Sequence, residues 1–217
     1  MRKTLLTTVL SLALASLASE VSAVVITFTD RTAFLSAVAP GYFEDDFSDV
    51  TNGGITGAVS LRSGNGFAVS YSAPSYGLYS VTGGMSTNVS TDNLIALFTG
   101  DLVYAAGGYF YLSDIAGEYQ SFPGNGVSAF ADNGVDPVSM LVASENSPTN
   151  FFGWVSSEPL LTITMNSGGT SPDRWNTIGD FIVGAAVPEV GPAGMGSVLG
   201  LVTGVLGLLE RRRSKTA

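Results

Sequence analysis

From Val24 onward the chain is a succession of short runs rich in β-branched and aromatic residues, each closed within about ten residues by a glycine, asparagine or proline turn. Such punctuation leaves room for short strands and almost none for long helices. Strands are expected at 24–28, 58–61, 67–71, 77–81, 94–98, 109–112, 127–131, 138–142, 151–155, 161–165 and 181–183. The turns between them are marked by Asn52-Gly53-Gly54, Gly64-Asn65-Gly66, Gly83-Gly84, Pro123-Gly124-Asn125-Gly126, Asp132-Asn133-Gly134 and Ser167-Gly168-Gly169. One helix interrupts the pattern. Thr29 or Asp30 can cap a short helix through Ala33, Phe34, Leu35 and Val38, which Pro40-Gly41 then stops.

Alternation along three of the runs gives each a face to bury: Val127, Ala129 and Ala131; Val138, Met140 and Val142; Leu161, Ile163 and Met165. Two antiparallel sheets packed face to face bury such faces without crossover helices. The expected fold is therefore all-β, a single β-sandwich of jelly-roll-like form, with an immunoglobulin-like sandwich as the other arrangement. No repeat of propeller or solenoid period is present.

The two ends of the chain read differently. Arg2 and Lys3 precede an apolar run from Leu5 to Ala18, and Val21-Ser22-Ala23 offers the small residues that a signal peptidase reads, so residues 1–23 are expected to be a secretory signal peptide. At the other end, Val190 to Leu209 holds no charged residue and is long enough to cross a bilayer as a helix. Pro192 narrows the continuous helix to about 193–209. Arg211, Arg212, Arg213 and Lys215 form the positive flank expected to stay cytoplasmic, which puts everything before Pro188 across the membrane. Gly196, Gly200 and Gly204 recur every fourth residue and would let a second helix approach that face.

The order of Val187-Pro188-Glu189, an apolar helix and a terminal arginine cluster resembles the PEP-CTERM sorting signal of exported Gram-negative bacterial proteins, with Val190 standing where the usual second proline falls. The resemblance implies that an exosortase cuts residues 187–217 from the body and passes it to the cell surface or extracellular matrix. Residues 150–163, 179–184 and 107–115 also resemble strands of that family, whose bodies look like carbohydrate-binding sandwiches without defined catalytic residues.

The intervening body, 24–186, has 163 residues, enough for one domain with a real core. Its three basic residues are Arg31, Arg62 and Arg174, set against 15 acids and no lysine. A surface so acidic repels phosphates, which argues against nucleic acid as a partner. The chain has neither cysteine nor histidine, which removes disulfides, thiol and histidine-based catalytic triads and the commonest zinc ligands. Two chemistries remain open. Glu44, Asp45, Asp46 and Asp49, joined by Asp180 if the last strand returns beside an early one, could offer hard oxygens to Ca2+. Tyr71, Tyr76, Tyr79, Tyr119, Trp154 and Trp175 could stack on sugar rings, with core packing expected for Trp154, and with Trp175 and Tyr119 the preferred pair. The expectation is a non-catalytic exported protein associated with exopolysaccharide. A polysaccharide-active enzyme and a self-assembling matrix protein are the alternatives.

Overall fold

A computed structural model describes residues 24–55, 60–121, 126–134, 137–166 and 173–187. The signal peptide, most of the sorting motif (Pro188, Glu189 and Arg211 to Arg213) and Gly196, Gly200 and Gly204 lie outside the described residues. Among those described, no helix is long and apolar enough to cross a membrane. The body is an all-β sandwich of two antiparallel sheets. In chain order it comprises β1 (Val25–Phe28), α1 (Arg31–Ala37), β2 (Phe43–Asp45), β3 (Gly53–Ile55), β4 (Ser60–Gly64), β5 (Phe67–Ser72), β6 (Leu78–Val81) and β7 (Gly84–Thr87). There follow β8 (Leu94–Gly100), β9 (Val103–Ser113), β10 (Val127–Asp132), β11 (Pro137–Ala143), β12 (Phe151–Leu160), β13 (Thr162–Asn166) and β14 (Trp175–Gly184).

One sheet runs β1-β12-β9-β14-β7-β6-β3, with β2 also paired to β14; the other runs β11-β10-β13-β8-β5-β4. From β7 onward the pairings nest: β7 with β14, β8 with β13, β9 with β12 and β10 with β11. The segment is thus one long hairpin, four strands out and four back, rolled so that successive rungs fall in alternate sheets. Rolling it this way sets the alternate residues of both sheets against each other, and these form the core. Phe110 lies at its centre, with ring centroids 5.5 Å from Phe152, 6.0 Å from Trp154 and 6.3 Å from Phe181. Phe181 reaches across to Tyr71 at 6.0 Å and Phe98 at 6.3 Å on the facing sheet. Tyr71 and Trp154 are fully buried here. That fits the packing role expected of Trp154 and removes Tyr71 from the sugar-stacking candidates, because β5 turns its alternate residues Phe67, Val69 and Tyr71 inward.

The capping expectation resolves on Asp30, whose carboxylate accepts from the Ala33 N–H at 2.7 Å. The helix it starts lies on the outer face of the eight-stranded sheet, where Phe34 joins Phe151, Val155, Ala105 and Ile182 in a second, smaller cluster. Phe34 can sit so close because Gly153 lies beneath it; a Cβ there would come within 2.6 Å of the ring.

Two expectations change. Of the expected inward residues Val138, Met140 and Val142, the last two are exposed, while Leu141 and Ala143 pack on the core. The register explains it: Leu141 lies opposite the buried Ala129, so the same-face partner of Met140 is the outward Phe130. An edge strand can carry apolar residues on both faces, and alternation alone does not say which is inside. The Asn52-Gly53-Gly54 and Gly83-Gly84 turns also run directly into strands β3 and β7, which their glycine content concealed.

Candidate functional site

The helix α1 covers only part of the outer face of the eight-stranded sheet. Beyond Phe151 that face opens into a cleft of about 540 Å3, within the roughly 300–1,000 Å3 typical of ligand sites. Period-two alternation on β9 aims Tyr109 and Tyr111 into it, while Phe110 between them points to the core. Tyr109 leans edge-on against Phe151 at 5.6 Å and Tyr111 edge-on against Tyr119 at 6.4 Å. The remaining wall carries Glu118, Pro148 and Asp180, and the floor is formed by Gly83 and Gly179.

Tyr119 and Glu118 are held by a loop that is tied down at both ends. Asp114 accepts from the N–H groups of Ala116 and Glu118 at 2.9 and 3.0 Å and from the Gln120 side chain at 3.1 Å. Asn146, almost fully buried, accepts from the Leu112 N–H at 2.7 Å and donates to the carbonyls of Leu112 and Gln120 at 2.8 and 2.7 Å. The Tyr119 hydroxyl donates to the Asn146 carbonyl at 3.1 Å. Tyr119 is thereby fixed by its phenolic end with part of its ring in solvent, and the loop pays no further ordering entropy when a ligand arrives.

Asp180 reaches the cleft through a defect in its strand. On β14, Gly179 pairs with Tyr109 and Ile182 with Gly107, so two residues, Asp180 and Phe181, oppose the single Gly108. Strict alternation after Ile178 would send residue 180 into the core. The bulge inserts one residue, restores Phe181 and Val183 to the interior, and leaves Asp180 at φ +41° lining the cleft. Gly108 makes the room: a Cβ on it would lie 2.7 Å from the Phe181 ring. Burial, then the nearby Glu44, raises the Asp180 carboxyl above its ordinary value, with Arg31 opposing. Tyr111 is pushed up to about 12, first by burial and then by Glu118 and Asp180, so it is a neutral hydrogen-bonding phenol at any physiological pH. Neither the Glu118 nor the Asp180 carboxylate accepts a hydrogen bond from a side chain among the described residues.

The acidic segment behaves otherwise. The last strand does return beside it, with Phe181 opposite Asp45 and Ile182 opposite Glu44. Its acids are nevertheless spent on arginines. Arg31 donates to Glu44. Arg62, on β4 of the opposite sheet, donates to both oxygens of the buried Asp45 at 2.8–3.2 Å and to Asp49 from two nitrogens, with its guanidinium over the Phe47 ring at 5.8 Å. Asp46 accepts from the N–H and hydroxyl of Ser48 and so caps its own turn. Among the described residues, no three carboxylates converge on a point where they could hold a metal ion.

Of the preferred aromatic pair, Tyr119 is in the cleft, whereas Trp175, half-buried, lines a separate cavity of about 140 Å3 with Tyr79 and Asp114. Tyr76 is exposed on the loop before β6. Sequence reasoning missed Tyr109, Tyr111, Glu118 and Asn146 as site residues. The signal for the tyrosines was present in Tyr109-Phe110-Tyr111, where the two polar-tipped rings share one strand face. No family model, curated protein or solved structure matches the chain.

Proposed function

We propose that the chain is a non-catalytic exported protein of the cell surface or extracellular matrix, sorted by an exosortase-type enzyme, whose jelly-roll body associates with exopolysaccharide. The observation that carries the sorting half is the junction. Ala186 bridges Val38, the Val187 N–H donates to the Ala37 carbonyl at 2.9 Å, and Pro188-Glu189 follows at once. In the sequence the motif thus stands between the described body and the apolar segment with its arginines, which is the order that the sorting reading requires. The nested pairing of β7 to β14 across two sheets supports the jelly-roll reading, and the tyrosine cleft supports the sugar half, since flat rings beside unshared carboxylates suit the apolar faces and hydroxyls of pyranoses. The deciding experiment is intact-mass measurement of the protein recovered from the surface of a host with and without an exosortase. A C-terminus within a few residues of Glu189 in the first host, and retention of Arg211 to Arg213 in the second, is expected; an identical uncut tail in both would refute the sorting.

A second reading, self-assembly into a matrix, is favoured by one observation: the outer face of the six-stranded sheet carries Leu61, Leu97, Met140 and Val142 exposed. Light scattering of the purified protein across a concentration series tests it, with growth in mass as the supporting result.

A further inference from the structure

Resting on the exopolysaccharide reading, we infer that the tyrosine cleft is the glycan site and that it selects a polysaccharide chain free of acidic groups. Stacking surface comes from Tyr109, Tyr111 and Tyr119, three rings that line one cleft. Selectivity comes from Glu118 and Asp180. Both line the cleft, and neither carboxylate accepts a hydrogen bond from a protein side chain among the described residues, so their oxygens are available to donors on a ligand. Sugar hydroxyls are such donors. A uronate, sulfate or pyruvate ketal brings a second negative charge against the first, and among the described residues no arginine is hydrogen-bonded to either carboxylate: Arg31, which acts on Asp180 only through space, donates to Glu44. The body around the cleft adds to the repulsion, with three arginines against 15 acids. A neutral glycan needs only the rings and acceptors that are present.

The same features fix the orientation of the bed. Tyr119 is the outermost ring, tethered at its hydroxyl by the Asn146 carbonyl, so its exposed part offers a face or edge to the ligand while the phenol oxygen is occupied. Asp180 stands where the bulge put it, at the foot of the bed beside Tyr109. Loop and bulge are both preformed, which predicts binding without a conformational change large enough to alter the near-ultraviolet spectrum of the buried tryptophan.

The test uses the full-length chain in detergent, titrated with oligosaccharides of neutral glucan, mannan and galactan and with a polyuronate. At least one neutral glycan should bind, and the polyuronate should bind at least about tenfold more weakly at low salt, the gap narrowing as salt is added. Tyr119→Ala should weaken the neutral glycan about tenfold. Glu118→Lys, at an exposed position, should raise the affinity for the polyuronate. If every glycan fails to bind, the exopolysaccharide reading falls and this inference with it. If a neutral glycan binds but Tyr119→Ala leaves its affinity unchanged, the reading stands and the cleft is the wrong site. If the polyuronate matches the neutral glycan in wild type, or Glu118→Lys does not help it, the charge selection is wrong.

Discussion

Carboxylates gather in two places in this protein, along residues 44–49 and at the mouth of the tyrosine cleft, and the fold treats the two groups in opposite ways. In the first, Arg62 grips Asp45 and Asp49 from the facing sheet and Arg31 grips Glu44, so the acids serve to close the rim of the sandwich. In the second, Glu118 and Asp180 are delivered to a cleft by a braced loop and a bulge, and among the described residues neither has a bonded cation. Two of the body's three arginines are thus engaged on one short segment, and among the described residues neither is hydrogen-bonded to Glu118 or Asp180. Acid density along the sequence does not say where the cations go, and here the arginines go to the denser group.

The comparison breaks most visibly at Arg62. Arg62→Gln leaves Asp45, whose side chain is 1% exposed, without its partner, and should cost about 3–5 kcal/mol. For a domain of this size that lowers Tm by roughly 10 °C, read by calorimetry. A double change to Arg62→Leu with Asp45→Leu should recover much of the loss, since the uncompensated charge is then gone. The corresponding change in the cleft, Glu118→Gln, should leave Tm where it was.

Asp180 sharpens the contrast through pH. Its carboxyl is raised by burial and by Glu44, so the folded state holds its proton to higher pH than the unfolded chain does. Stability from this group is therefore greatest below the ordinary aspartate range and declines as pH climbs through the raised value. Asp180→Asn should raise Tm at neutral pH by on the order of 1 °C, since the site is mostly solvated, with the gain vanishing near pH 3. Asparagine also tolerates the positive φ, so the pH dependence of the difference, not its size at one pH, is the diagnostic. A gain that is flat with pH would mean that backbone preference alone produced it.

The smallest effect concerns the acids that the sequence offered to calcium. With Glu44, Asp45 and Asp49 paired to arginine, millimolar Ca2+ should shift Tm by less than about 1 °C. A clear calcium-dependent rise would show that the arginines yield to the cation, and it would dissolve the distinction between the two groups.

Much of the body was legible in advance because its signals are local. Runs such as Phe67-Ala-Val-Ser-Tyr71 and Val127-Ser-Ala-Phe-Ala131 carry their alternation openly, and Asp30 announces its helix. What stayed hidden depended on pairing. Nothing at Met140 states that its strand is an edge with the opposite face inward. Nothing at Asp180 reveals a bulge, since the extra residue exists only relative to Gly108 on another strand. Asn146 joins the candidate site solely because a loop 26 residues away folds over it. Arg62 and Asp45 are likewise 17 residues apart and on different sheets.

The bulged strand has one more consequence, and it concerns time. β14 is the last strand of the body and also the most connected, with β9 along one edge and β7 and β2 sharing the other. Because synthesis runs from the N-terminus, the centre of the eight-stranded sheet arrives after both of its borders. Until residue 184 has emerged, three strands present bare edges, and Phe110 lacks the Phe181 ring that closes the aromatic core. The six-stranded sheet is complete in sequence before β14, but the eight-stranded sheet is not, so its closure waits for the end of the body and is a slow long-range β pairing. A chain that ends before Trp175 would leave those edges bare and prone to aggregation, whereas removal of β1 would take away only a border strand.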